Sequence, residues 1–245
     1  MTMLSTYFIR IFPALFLLTI TFILAYRLNV WIKIFLMILG FILMRDAMTP
    51  VGIWQFGVTD SLLWLRFIDS GLVLIILAVL TLILALVLYF IHPQINQDIV
   101  WFSKNKYHAF LVGILAAILI VLPFMLPYLN TPIEARGGNV SWQVVFPLLI
   151  FALLGNFLEE LLFRGFLQSQ LKLITNKWHA IVLSGLIFAL GHIFLAITVT
   201  DLGVIVLLFT FWEGLICAFL YERYGLIAAS IAHGFGIFLI SAGLF

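Results

Sequence analysis

Apolar residues run along this chain in stretches about as long as a bilayer is thick, and polar residues gather in the short gaps between them. A hydrocarbon core takes about 20 residues of helix. On that ruler the pattern predicts an all-α polytopic bundle of about eight transmembrane helices, near 8–26, 29–44, 70–92, 108–128, 144–168, 179–198, 202–221 and 225–244. Arg45 to Asp69 mixes charges with Trp54 and Trp64, which suits a segment lying at the headgroup level. The polar loop from Asn130 to Trp142 separates the scaffold helices of 1–129 from the helices of 144–245, within one continuous membrane domain. No cleavage site for a signal peptide stands out after Arg10, so the first helix is expected to be retained.

Composition removes the soluble alternatives. Hydrophobic residues make up 65% of the chain and charged residues 9%, with a mean hydropathy of +1.28. An ordinary soluble domain is about half apolar and a quarter charged. The expected setting is a multi-pass protein in the plasma membrane of a bacterium or archaeon, with the lipid bilayer as solvent. The net charge of +2 has no basic stripe behind it, which excludes nucleic acid as a partner. Cys217 is the single cysteine and lies in an apolar run, so neither a disulfide nor a redox role is expected of it.

Against this background a few ionisable residues stand out, and they cluster in the second half. An ionised carboxylate deep in a bilayer costs several kcal/mol, so such groups are paired, protonated or functional. In Glu159-Glu160-Leu161-Leu162-Phe163-Arg164, the four-residue spacing puts Glu160 and Arg164 on one helix face as an ion pair. The helical repeat turns Glu159 about 100° away, unpaired and able to act as a base or acid. His192 and His233 fall in the sixth and eighth stretches, and Glu213 in the seventh, where it needs a partner. Packing alone explains any one of these. Together they place acid or imidazole on successive helices whose common core is a bundle interior.

Two chemistries fit such a set. Glu159 can take a proton from water while His192 and His233 orient that water and donate to the developing oxyanion. Alternatively Glu159, His192 and His233 can ligate zinc, with the remaining glutamate as base. The spacing HExxH is absent, and Arg164 weighs against a divalent cation beside it, so no cofactor is the first expectation and zinc the alternative. Asp201 and Glu222 are read as loop charges.

These residues resemble the CPBP family of intramembrane endopeptidases, also called Abi or CAAX-protease-like, to which the type II CAAX prenyl endopeptidases belong. The motif EExxxR is complete as Glu159 to Arg164, and FxxxH as Phe188 to His192. The closing helices are similar through Phe211-Trp212-Glu213-Gly214 and Leu220 to Gly225, up to His233. The resemblance covers about the last 100 residues. It implies hydrolysis of a peptide bond in a membrane-associated protein or peptide, with Glu159 as base, both histidines at the site, and Glu160 and Arg164 in support. The family's last motif reads HxxxN or HxxxD, whereas this chain has Ile237 at the polar position. Glu213 or Asn156 would have to stand in. That departure keeps a second reading open, a weakened pseudoprotease that binds and regulates a membrane partner. A small proton-coupled transporter is a third, although no inverted repeat is visible.

Overall fold

The apolar stretches fold as helices, and the chain is an all-α bundle with a single two-stranded sheet among its described residues. A computed structural model describes residues 2–24, 29–59, 62–102, 105–200 and 202–244; Asp201 lies outside them. Two compact units divide at Trp54. The first, Met1–Trp54, contains α1 (Met3–Leu24) packed on α2 (Val30–Met48). Asn29 caps α2 by accepting from the amide of Trp31 at 2.9 Å.

The second unit, Gln55–Phe245, holds all the residues singled out as chemistry-bearing. Strands β1 (Trp54–Thr59) and β2 (Leu62–Phe67) pair where a headgroup-level segment was expected. The Trp64 ring lies over Gly57 so closely that a Cβ there would fall within 1.9 Å of it. Arg66 ties β2 to the rest by donating to the carbonyls of Gly138 at 2.8 Å and Ile240 at 3.1 Å.

Helices α3 (Gly71–Ile91), the short α4 (Pro93–Asn96), α5 (Lys106–Leu129) and α6 (Trp142–Glu160) follow. A π-helical segment, Leu161–Gln168, leads from α6 into α7 (Ser169–Ile174) without a break in the helical path. Then come α8 (Lys177–Leu190), α9 (Val204–Tyr224) and α10 (Leu226–Ala242). Among the described residues, four helical runs are long and apolar enough to cross a membrane: Gly71–Ile91, Lys106–Met125, Trp142–Ile174 and Val204–Tyr224. Lys177–Leu190 and Leu226–Ala242 are shorter apolar helices. The sixth apolar stretch was read as one helix, but α8 ends at Leu190 and a second π-helical segment, Leu195–Val199, follows His192.

Helix α10 is central, packed on α5, α6 and α9, while α3 packs on α6 and α8 on α9. Small residues permit these approaches, as expected where lipid leaves no hydrophobic drive between helices. Gly225, with φ +91°, turns the chain from α9 into α10, and a Cβ there would lie 2.7 Å from the Trp101 carbonyl oxygen. The same close approach lets the first amides of α10, Leu226 and Ile227, donate to Val100 and Trp101 at 2.8 and 3.2 Å. In α5, Pro123 lacks the amide that would bond Leu119, and the Trp212 indole of α9 donates to that carbonyl at 3.3 Å.

Gly234 sits against α6, where a Cβ would come within 2.8 Å of Leu153 Cα and 2.9 Å of the Ala152 oxygen. Both are backbone atoms, so the helices must separate. Gly234→Ala is expected to destabilise the protein by about 1–3 kcal/mol, read as a lower thermal midpoint in detergent. Gly155→Ala in α6 meets nothing within 4 Å and serves as the neutral control. Equal midpoints for both variants would show that this contact does not hold α10 in place.

Candidate active site

The end of α6, the π-helical segment, the end of α8, the middle of α9 and the middle of α10 converge around Phe188. Its ring is fully buried. The Arg164 guanidinium carbon lies 4.4 Å from its centroid, and the rings of Phe163, His192 and His233 lie at 5.1, 4.6 and 5.5 Å. An apolar wall on that scale lowers the local dielectric, which strengthens every charge interaction beside it.

Arg164 is the most constrained cation. Its Nη1 donates to Glu160 Oε1 at 2.8 Å and its Nη2 to the Gly214 carbonyl at 2.9 Å, with no exposed surface on either charged side chain. The ion pair expected from the four-residue spacing is therefore present. What local spacing did not reveal is the π-helical winding from Leu161 to Gln168, in which Arg164 lies. π-Helical turns free carbonyls from the usual ladder and concentrate at functional sites. Here the Phe163 carbonyl accepts from Ser184 Oγ of α8 at 3.0 Å.

Gly214 reaches Arg164 because α8 and α9 touch at glycine. A Cβ on Gly214 would sit 3.1 Å from Gly185 Cα, and one on Gly185 would sit 3.2 Å from the Leu215 amide nitrogen. Ser184, Gly185 and Gly214 were not among the candidate residues. Their signal was a small residue opposite a small residue, visible only once α8 and α9 are paired.

The three residues read as one catalytic set divide into two neighbouring pairs. On one side Glu159 Oε2 lies 4.0 Å from His192 Nε2. On the other, His233 Nδ1 donates to Glu160 Oε1 at 2.8 Å, and its Nε2 faces Glu213 Oε1 at 3.6 Å. Accessibility separates them. The Glu159 and His192 side chains are each 12% exposed, against 3% or less for Glu160, Arg164, Glu213 and His233. The Glu159 and His192 pair is thus the less buried of the two, and the His233 cluster lies deeper.

His192 lies two residues beyond α8 rather than inside a continuous helix. Its Nδ1 is 2.9 Å from the Phe188 carbonyl oxygen, which can only accept, so Nδ1 carries a proton and donates. Glu159 Oε2 is buried with no hydrogen-bond partner among the described residues. Glu159 Oε2 and His192 Nε2 thus face each other at a distance too long for a direct hydrogen bond.

Asn156 is occupied with its own helix, donating from Nδ2 to the Ala152 carbonyl at 2.6 Å. Ile237, one turn after His233, packs against the apolar cluster of Leu74, Val144, Leu148 and Ala152 and brings no polar group to the site. Glu222 pairs with Lys172 at 2.7 Å, away from this constellation.

The geometry also bears on zinc. The candidate ligands Glu159, His192 and His233 do not converge on one point. Among the described residues, the ligand atoms that lie within 4.8 Å of one another belong to Glu160, Cys217 and His233. In that trio Glu160 Oε1 already accepts from both Arg164 and His233, and the buried Cys217 thiol is 3.8 Å from the Ala229 carbonyl oxygen. Glu160 and His233 bond each other beside a guanidinium and Cys217 turns to the Ala229 carbonyl, which is not an open ligand set.

Comparison with known proteins adds one match. Residues 141–238 match the family model described as type II CAAX prenyl endopeptidase Rce1-like, which spans α6 through most of α10. No curated protein and no solved structure matches the chain.

Proposed function

We propose that this integral membrane protein, whose residues 141–238 match the Rce1-like model of type II CAAX prenyl endopeptidases, cuts a peptide bond in a membrane-associated protein or peptide with Glu159 as the base. Four helical runs long enough to cross a bilayer support a chain that threads it more than once. The observation that carries the mechanism is the facing of Glu159 Oε2 and His192 Nε2 at 4.0 Å. A carboxylate oxygen and a ring nitrogen held at that separation can be bridged by one water. Hydrogen bonds of about 2.8 Å from one water to both atoms are compatible with that separation.

The water loses its proton to Glu159 as its oxygen attacks the scissile carbonyl. Glu159 then returns a proton to the departing amine, which leaves the carboxylate ready for the next cycle. His192 holds the water in line. His233, backed by Glu160 and Arg164, supplies positive potential towards the oxygen that gains charge. Bond making and breaking balance with water as the only co-reactant.

The test uses purified full-length protein in detergent and a farnesylated peptide ending in a CAAX tetrapeptide, quenched so that cleavage is fluorescent. Cleavage that persists in a chelator is expected. Absence of cleavage removes the CAAX-type reading, and activity lost to chelator and restored by zinc replaces Glu159 as base with a metal mechanism.

A further inference from the structure

The chemistry above uses Glu159 and Glu160 and leaves Glu213 without a task. Glu213 is 2% exposed in the middle of α9, and its Oε1 is buried without a hydrogen-bond partner among the described residues. At 3.6 Å the contact with His233 Nε2 is beyond hydrogen-bonding range. A carboxylate buried in this way lowers stability, and an apolar residue of similar volume in its place is commonly neutral or stabilising. Packing therefore gives no account of Glu213.

Its placement does. Adjacent residues of α9 serve the same site from two directions: the Gly214 carbonyl takes Arg164 Nη2, and the Glu213 carboxylate faces His233. The imidazole of His233 thus lies between carboxylates from two helices, Glu160 of α6 on Nδ1 and Glu213 of α9 on Nε2. Phe188 meets the ring edge to face at 82°. With Glu160 alone, the ring keeps one anchor and can swing about it. With Glu213 present, the direction of the Nε2 edge is set as well.

We propose that Glu213 is a positioning residue for His233: its carboxylate closes on Nε2 to hydrogen-bond distance when substrate fills the site and so fixes the plane of the ring between two carboxylates. Catalytic hydrogen bonds that are long in a substrate-free enzyme tighten in this way. The inference rests on the endopeptidase reading, since a ring needs aiming only if it acts on a substrate.

The experiment compares Glu213→Leu, Glu213→Gln and Glu159→Gln in the full chain on the farnesylated CAAX peptide. It records kcat, KM, the thermal midpoint and the nitrogen spectrum of labelled His233. Glu213→Leu is expected to lose about 100-fold in kcat, the scale of a misplaced catalytic group, with KM unchanged and a thermal midpoint equal to or above that of the unsubstituted protein. Glu213→Gln keeps an acceptor of the same reach and is expected to restore most of the rate. The Nε2 resonance should move in Glu213→Leu and return in Glu213→Gln. A Glu213→Leu protein with full kcat overturns the proposal. So does a loss that tracks a lowered midpoint, or a Gln variant as poor as the Leu variant. If the unsubstituted protein leaves the peptide uncut, or Glu159→Gln cuts it normally, the endopeptidase reading falls by itself. The nitrogen spectrum then decides the Glu213 contact, and an unmoved Nε2 resonance overturns it.

Discussion

Glu159→Gln is expected to lower kcat on the CAAX reporter by about 10²–10⁴-fold, the contribution of a positioned general base, with the fold unchanged. The substitution keeps volume and reach, so the apolar wall around Phe188 stays packed. It removes the basic oxygen pair and replaces one oxygen with an NH₂ group. That group turns an acceptor towards His192 into a donor, so the facing pair no longer offers a base to the water. The thermal midpoint should stay close to that of the unsubstituted protein, because Glu159 Oε2 makes no hydrogen bond whose loss would be felt. The pattern that supports the reading is therefore a large fall in rate beside an unmoved midpoint. Turnover within a few-fold of normal would take the base role away from Glu159 and leave His192 as the proton acceptor.

Much of this site was legible in the sequence because it is encoded locally. The Glu160 and Arg164 pair follows from four-residue spacing on one helix, and the turning of Glu159 away from it follows from the helical repeat. What the spacing cannot contain is the rotation of one helix against another. His233 was expected beside Glu159 but bonds Glu160, because the Gly234 contact with Leu153 fixes which face of α10 meets α6. The end of α8 before His192 was concealed by the continuing apolar run, and Gly191 at its end keeps a right-handed conformation.

The sheet was missed for a related reason. Trp54, Trp64 and scattered charges read as a headgroup segment, whereas the pairing depends on the Trp64 ring covering Gly57, a contact with no periodicity of its own. The π-helical winding has no sequence signal either. It brings Arg164 within reach of Glu160 and Gly214 at once, and those two acceptors belong to different helices.

The second large effect concerns that winding. Arg164→Met is expected to destabilise the protein by about 3–5 kcal/mol, the scale for removing one member of a buried ion pair. Glu160 would remain without exposed surface, with His233 Nδ1 still donating to it. The Gly214 carbonyl loses its donor, and Phe188 loses the guanidinium over its ring. For a chain of this length the thermal midpoint should fall on the order of 10 °C. Arg164→Lys is expected to recover only part of this, because a single ammonium cannot reproduce the two-direction fork to Glu160 and Gly214. The double variant Glu160→Gln with Arg164→Met removes the uncompensated charge while keeping an acceptor for His233. It should therefore regain most of the midpoint without regaining activity. That separation matters because it divides two roles of one cluster: the ion pair as a support that a neutral pair can replace, and the charge behind His233 as part of the chemistry. An Arg164→Met protein as stable as the original would show that the π-helical turn is held by its apolar contacts alone. A double variant with restored turnover would show that the potential behind His233 is not used in the reaction.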